Sequence, residues 1–264
     1  MKVGIYGFPG SGKTSTFNIL SGHRADTGFG AKAEVHIAAI KVPDARVDRL
    51  SAIFTPKKTT YAEVHFVDVP GGRRDGDSTG LDPEQLQHLR DADAFGLVLR
   101  DFDSTYVQGT QDPLGEFLEI EQELIMTDLL TTEKRLAKLK KERKQTRETE
   151  LLERIVEHLN TEQVLRTMEL DKDEEKLIRG FTLVSLKPIV ALINTDDEGV
   201  TRSRPELEAA LDERNIRHFS ISASTELEIM DLDPEERAMF FEEIGIKGSS
   251  KDAFIQEAYA TLDF

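Results

Sequence analysis

The stretch that decides the fold is GFPGSGKTS at residues 7–15, directly after the apolar run KVGIY at residues 2–6. Its Gly7, Gly12, Lys13 and Thr14 fit the spacing G-x-x-x-x-G-K-[ST], which is typical of loops that hold the phosphates of a nucleotide. Glycines let such a loop turn so that successive backbone N–H groups point at the anion, and the helix behind it contributes its positive end. A strand-like segment before the loop and a helix-like segment after it supply the required context.

This loop predicts binding of a purine nucleoside triphosphate, ATP or GTP, together with Mg²⁺. Lys13 would reach the β- and γ-phosphates, and the Thr14 hydroxyl would ligate the metal ion. The predicted phosphate contacts are Gly10, Ser11, Gly12, Lys13, Thr14 and Ser15.

Short apolar runs indicate the strands of an α/β fold. They lie at residues 3–8, 62–69, 94–102, 188–194 and 218–222, with 34–42 as a further candidate. Near-continuous apolar runs are expected where helices cover both faces of a parallel sheet. Amphipathic stretches between them, at 82–93, 203–214 and 233–245, predict helices. We predict a P-loop NTPase fold with a mainly parallel sheet.

The strand pattern is interrupted by a long helical segment. Its leucine and isoleucine residues recur at coiled-coil-like spacing, at Leu118, Ile125, Leu129, Leu136 and Leu139. We predict a discontinuous α/β domain at 1–114 and 183–245, a helical hairpin inserted at 115–182, and a C-terminal tail at 246–264.

A second motif selects among P-loop proteins. The segment FVDVPGG at 66–72 places Asp68 and Gly71 at the D-x-x-G spacing of switch proteins. Asp68 would hold Mg²⁺ through a water, and the Gly71 N–H would detect the γ-phosphate. This motif favours a switch-type NTPase over a small-molecule kinase, for which no acceptor-binding segment is evident.

Two later segments predict the base site. Asn194, Thr195 and Asp197 follow a strand with N-x-x-D spacing, and an aspartate there can accept hydrogen bonds from N1–H and N2–H₂ of guanine. Ser222, Ala223 and Ser224 follow the next strand and would place backbone N–H groups under the base.

Composition limits the partners. The 264-residue chain has a net charge of −16, no cysteine, no apolar run that would span a membrane and no signal peptide, so we expect a cytoplasmic protein without a membrane partner. An acidic chain repels nucleic acid, except where charge is locally reversed.

Residues 134–147 carry eight basic residues and one acidic residue. The basic residues are Lys134, Arg135, Lys138, Lys140, Lys141, Arg143, Lys144 and Arg147. They form either an RNA-binding patch or an ordinary solvated helix surface.

With these motifs the sequence resembles the YchF (Obg-like) subfamily of P-loop NTPases. The resemblance extends through VPDARVDRLSAIFTP at 42–56, DPLGEFLEIEQELIMTDL at 112–129, FTLVSLKPIVALIN at 181–194 and GIKGSSKDAFIQEAYATL at 245–262. It implies a G domain with a coiled-coil insertion, and a C-terminal TGS domain that this sequence stops short of. It also implies binding and hydrolysis of ATP, often in preference to GTP, and association with ribosomes.

Five positions depart from the pattern of that subfamily. Gly10 replaces an asparagine of the phosphate loop, Lys32 aligns with the switch threonine, and Gly72 stands where the subfamily has a hydrophobic residue. Tyr106 aligns with a histidine, and Asp197 replaces a glutamate.

Two functions therefore stay open: a slow hydrolytic switch, and a module that responds only to nucleotide occupancy. For hydrolysis we expect roles for Lys13 and Gly71, with Tyr106 as a weaker candidate for positioning water. We expect a monomer.

Overall fold

The computed structural model places most of the chain. The residues that it describes are 1–22, 35–42, 44–69, 81, 83–104, 111–143, 146–230, 232–233, 235–236, 239, 254–255 and 257–258.

The framework is a six-stranded sheet formed by these residues. Its strands are β1 (Lys2–Tyr6), β2 (His36–Lys41), β3 (Glu63–Asp68), β4 (Ala94–Asp101), β5 (Ile189–Thr195) and β6 (Arg217–Ile221). They lie in the order β2-β3-β1-β4-β5-β6, and all neighbours are parallel except β2 and β3. Every residue of β4 and β5 is buried, as their near-continuous apolar runs predict. The predicted α/β P-loop fold is confirmed.

Helices connect the strands and cover both sheet faces. They are α1 (Lys13–Ser21), α2 (Ala45–Phe54), α3 (Pro83–Asp91), α4 (Pro113–Lys141), α5 (Arg147–Asn160), α6 (Lys172–Ile178), α7 (Pro205–Glu213) and α8 (Ala223–Met230). Short 3₁₀ turns follow at Leu165–Thr167 and Arg179–Phe181. The helices predicted at 82–93 and 203–214 correspond to α3 and α7, whereas most of the segment 233–245 lies outside the described residues. Within the described ranges, no helix is long and apolar enough to cross a bilayer.

Helix α4 belongs to two hydrophobic cores. Phe117 and Leu124 pack in the core on one face of the sheet. Further along, Leu136 and Leu139 pack with Leu152 of α5 in a separate cluster. The helical pair follows the predicted apolar spacing from residue 125 onward.

The predicted spacing fails at Leu118, which is 39% exposed. At this point of α4 Phe117 faces the sheet, so the adjacent Leu118 faces solvent. The domain boundaries at 115 and 182 stay a prediction.

A buried carboxylate fastens the middle of α4 to the segment that leads into β5. Asp128 accepts hydrogen bonds from the Val184 N–H at 2.9 Å, the Ser185 N–H at 2.7 Å and the Ser185 hydroxyl at 2.6 Å. Burial raises the pKa of this carboxyl above its ordinary value, and the hydrogen bonds oppose that rise. The contact sets the position of α4 against the sheet.

Candidate functional site

The phosphate loop joins β1 to α1 and requires glycine at both motif positions. A Cβ on Gly7 would lie 2.3 Å from the Val98 carbonyl oxygen. Gly12 has φ +92°, and its Cβ would lie 2.1 Å from Nδ2 of Asn194. Gly10 also has positive φ, at +80°. The loop thus packs so closely against β4 and β5 that a side chain at Gly7 or Gly12 would collide with these strands.

Lys13 lies at the start of α1 and is buried. Its ammonium donates a hydrogen bond to the Phe8 carbonyl at 2.8 Å, across the loop. Burial lowers the pKa of Lys13 to about 8, while the charges of Asp68 and Glu116 act in the opposite direction. A phosphate anion in the loop would supply the compensating charge that this partly desolvated ammonium lacks.

Thr14 and Asp68 lie together at the carboxyl ends of β1 and β3. The Thr14 hydroxyl donates to Oδ2 of Asp68 at 2.8 Å. The other oxygen, Oδ1, is buried and has no hydrogen-bond partner among the described residues, and burial raises the pKa of this carboxyl. A hydroxyl beside an unsatisfied carboxylate suits Mg²⁺, which prefers oxygen ligands.

The remaining Mg²⁺ ligands would be phosphates and water. Among the described residues, no group of three or more His, Cys, Asp or Glu side chains is arranged to hold a metal ion unaided. That arrangement is ordinary for Mg²⁺ bound together with a nucleotide.

Asn194 connects the predicted base site to the phosphate loop. Its amide donates to the Ser11 carbonyl at 2.9 Å, and its Oδ1 accepts from the Ala223 N–H at 3.1 Å. One side chain therefore ties β5 to both neighbouring segments. The Ala223 N–H is engaged in this bond, whereas we expected it to face the base.

The other residues of the predicted base site lie around the start of α8. Asp197 is exposed and accepts a hydrogen bond from the Thr225 hydroxyl. Ser224 is exposed, and the buried Ser222 hydroxyl donates to Thr225 Oγ1 at 3.0 Å. The strand ends thus place Asn194, Asp197 and residues 222–224 along one edge of the sheet.

Thr195 points away from that edge. Its hydroxyl donates to the Asp101 carbonyl at 3.0 Å and lies 3.2 Å from an Arg204 guanidinium nitrogen. Arg204 also donates from Nε to Asp101 Oδ2 at 2.6 Å, and all three residues are buried. The side chain that we expected near the base is therefore used in a buried ionic network behind it.

The sequence reasoning missed a second buried ion pair beside the loop. The Arg100 N–H donates to Oε2 of Glu116 at 3.1 Å, and the Arg100 Nε lies 3.5 Å from Oε1. The charge of Glu116 also acts on Lys13. Both Arg100 and Glu116 are buried. A charged residue within the apolar run AFGLVLRD was the signal that could have found it.

Several predicted residues lie outside the described part of the chain. They are Lys32, Gly71, Gly72, Tyr106 and Lys144.

The basic residues of 134–147 occupy the end of α4 and the start of α5. Three of them form ion pairs: Arg135 with Glu148 at 2.7 Å, Lys140 with Glu153 at 2.8 Å, and Arg147 with Asp171 at 2.8 Å. The other four described residues are exposed and form no ion pair within the described ranges: Lys134, Lys138, Lys141 and Arg143. Fewer basic side chains are thus free of an ion pair, within the described ranges, than the eight that the sequence offers.

Comparisons with known proteins agree with this geometry. Residues 2–125 match the family described as 50S ribosome-binding GTPase. The chain is 32% identical to the ribosome-binding ATPase YchF of Bacillus subtilis, over 99% of this chain and 76% of that protein. It is 30% identical to the protein of the same name from Haemophilus influenzae, with the same coverage.

A solved structure gives the same fold. The YchF GTPase of Schizosaccharomyces pombe superimposes with a TM-score of 0.84 at 24% identity, over 99% of this chain and 75% of that one. Together with the phosphate loop, the Thr14–Asp68 pair and the helical hairpin, these similarities lead to one conclusion: the chain belongs to the YchF family of P-loop GTPases and ATPases.

Proposed function

We propose that this protein is a Mg²⁺-dependent purine nucleotide switch that hydrolyses ATP or GTP slowly and associates with ribosomes. The observation that carries the proposal is the buried Lys13 ammonium in a closed glycine loop, beside the Thr14–Asp68 pair. A cytoplasmic monomer is the form in which we expect it to act.

The residues would divide the chemistry as follows. Lys13 would leave the Phe8 carbonyl for the β- and γ-phosphates, where its charge offsets the charge that develops during attack by water. Thr14 and Asp68 would hold Mg²⁺, which neutralises the phosphates. Gly71 would contact the γ-phosphate, and Tyr106 is the weaker candidate for positioning water. Without a strong water-positioning side chain, we expect slow turnover that a partner stimulates.

Asp197 is the residue on which a preference for guanine would rest. Its carboxylate is exposed next to Thr225, which leaves an oxygen for N1–H and N2–H₂ of guanine. The YchF relatives are named ATPases. We propose to titrate the protein with non-hydrolysable ATP and GTP analogues in Mg²⁺, beside an Asp197→Ala variant. Guanine recognition by this carboxylate predicts that Asp197→Ala weakens GTP-analogue binding and leaves ATP-analogue binding unchanged. Equal losses for both nucleotides would contradict it.

The alternative is a module that binds nucleotide but does not hydrolyse it. The replacements at Gly10, Lys32 and Gly72 favour this candidate. Phosphate release under saturating Mg²⁺–nucleotide decides between the two, with Lys13→Ala as the reference for contaminating activity. If the protein releases phosphate no faster than Lys13→Ala does, both alone and with ribosomes, the protein signals only through whether a nucleotide is bound.

Ribosome association rests on the four exposed basic side chains at the end of the hairpin. RNA phosphates attract such a cluster, and the attraction weakens as salt increases. We expect Lys134→Glu, Lys138→Glu and Lys141→Glu together to reduce ribosome co-sedimentation at least tenfold. The matched control reverses three exposed basic residues elsewhere: Lys41, Lys172 and Arg179. Equal losses in both triple variants would mean that only net charge matters, and undiminished binding would exclude the patch.

A further inference from the structure

Helix α2 exposes an apolar face that the nucleotide site does not use. Leu50, Ile53 and Phe54 are 54%, 62% and 72% exposed, respectively. No residue of α2 is buried. These three side chains stand at positions i, i+3 and i+4, so they share one face of the helix. We name them the α2 apolar face.

Two hydrogen bonds connect the opposite side of α2 to the segment before β3. Tyr61 donates a hydrogen bond to Asp48, and the Ser51 and Thr59 hydroxyls lie 2.6 Å apart. Asp48 and Ser51 are one turn apart, so both bonds lie on the same side of the helix. The Asp44 side chain caps the first turn by accepting from the Arg46 N–H at 2.8 Å. The helix is thus held with its apolar face outward.

Cationic residues border this face at both ends. Arg46 and Arg49 lie toward the start of α2, and Lys57 and Lys58 follow its end; all four are exposed. Arg46 pairs with Asp44 at 2.7 Å. Arg49, Lys57 and Lys58 form no ion pair within the part of the chain that the structure describes. In a chain with net charge −16, this is a local excess of positive charge.

We propose that the α2 apolar face docks an acidic amphipathic helix of a partner protein. The partner would place aliphatic or aromatic side chains over Leu50, Ile53 and Phe54, with carboxylates facing the cations at both ends. Aliphatic side chains at the centre favour a protein partner over RNA, because nucleic-acid interfaces are much more polar.

The docking surface is remote from the nucleotide. Strands β2 and β3 pair so that His36 lies opposite Asp68 at the phosphate end, while Lys41 lies opposite Glu63 at the other end. Helix α2 connects the strands at that second end. A bound partner would therefore leave the phosphate loop open, and docking is a function separate from the proposed switch.

The test uses a defined probe. We would titrate the full chain with a fluorescein-labelled helical peptide that carries leucines at i, i+3, i+4 and i+7 with glutamates on both flanks. A peptide of the same composition in scrambled order is the reference. We expect saturable binding of the patterned peptide, at least tenfold tighter than that of the scrambled one. Phe54→Asp should weaken it at least tenfold, and Lys57→Glu with Lys58→Glu should weaken it and reduce its salt dependence.

The matched control is Leu130→Asp, because Leu130 of α4 is 61% exposed and lies on another element. Circular dichroism and thermal unfolding should be the same in all variants, since every changed side chain is exposed. Nucleotide titration of Phe54→Asp should be unchanged, which separates this proposal from the proposed switch.

Four results would overturn the proposal. The first is equal binding of the patterned and scrambled peptides, and the second is undiminished binding to Phe54→Asp. The third is sedimentation showing a dimer that Phe54→Asp dissociates, since the occupant would then be a second copy of this chain. The fourth is binding of a 20-nucleotide uridine RNA, or of vesicles of anionic phospholipid, that Phe54→Asp abolishes.

Discussion

The close contact between Gly12 and Asn194 allows a quantitative test of how the phosphate loop is held. The Asn194 amide makes two buried hydrogen bonds, to the Ser11 carbonyl and from the Ala223 N–H. Asn194→Ala would leave both backbone groups without these partners. At about 1–3 kcal/mol for each of the two buried groups left unpaired, we expect a loss of about 2–6 kcal/mol in the free energy of unfolding.

Gly12→Ala should be costly for a related reason. Its new Cβ would lie 2.1 Å from the Asn194 Nδ2, so the amide must move and its hydrogen bonds break. The φ of +92° adds about 1–2 kcal/mol of backbone strain for a residue with a Cβ. The double variant loses the amide only once. We therefore expect it to be about 2 kcal/mol more stable than the sum of the two single losses predicts.

Urea unfolding of the nucleotide-free protein, followed by circular dichroism, measures all four free energies of the cycle. Gly22→Ala is the matched control: Gly22 has φ +69°, and among the described residues no atom beyond its chain neighbours and its own helix backbone lies within 4 Å of its added Cβ. Combined with Asn194→Ala, it should be additive to within about 0.5 kcal/mol. Additivity of Gly12→Ala and Asn194→Ala to the same precision would refute the contact on which the prediction rests.

Three further predictions concern buried charges. Asp128→Ala removes the acceptor for both Ser185 hydrogen bonds and should cost about 3–5 kcal/mol in urea unfolding, with Asp128→Asn in between because it keeps one acceptor. Burial lowers the pKa of Lys13 to about 8 in the folded protein, so the unfolded chain binds more protons between pH 8 and 10.5. Stability of the nucleotide-free protein should therefore rise across that window by up to about 3 kcal/mol relative to Lys13→Met, and a parallel pH profile in thermal unfolding would contradict this. Glu116→Ala leaves Arg100 buried without its carboxylate and should cost about 3–5 kcal/mol, whereas a loss below 1 kcal/mol in urea unfolding would show that the pair is unimportant.

Much of the fold was predictable because its signals are local. An apolar run such as 189–194 avoids water only when both of its faces are buried. This indicates a strand of a parallel sheet with helices on both faces. The motif glycines and Lys13 are likewise readable, because the backbone turn and the charge are properties of single residues. Parallel strands bring their carboxyl ends to one edge, so the order of the motifs placed Asp68 and Asn194 at the same edge of the sheet.

Side-chain direction was less predictable. Thr195 and Leu118 carry no local signal that separates an inward from an outward position. The hydroxyl of Thr195 turns to Asp101 because Arg204, which directly precedes α7, completes a buried ionic network there. Leu118 is exposed because Phe117 takes the sheet-facing position on α4.

By itself, the sequence determined the class of fold, the phosphate loop and the helical pair, since each depends on residue chemistry at fixed spacing along the chain. The tertiary structure decided the surroundings of that loop. It brings the Asn194 amide into contact with the loop, lets the charge of Glu116 act on Lys13, and buries Lys13 so that its pKa is lowered. It also decided which side of α2 makes tertiary contacts, because Asp48 and Ser51 form hydrogen bonds with Tyr61 and Thr59 there. These properties arise between residues far apart or on separate elements, and only packing brings such residues within reach.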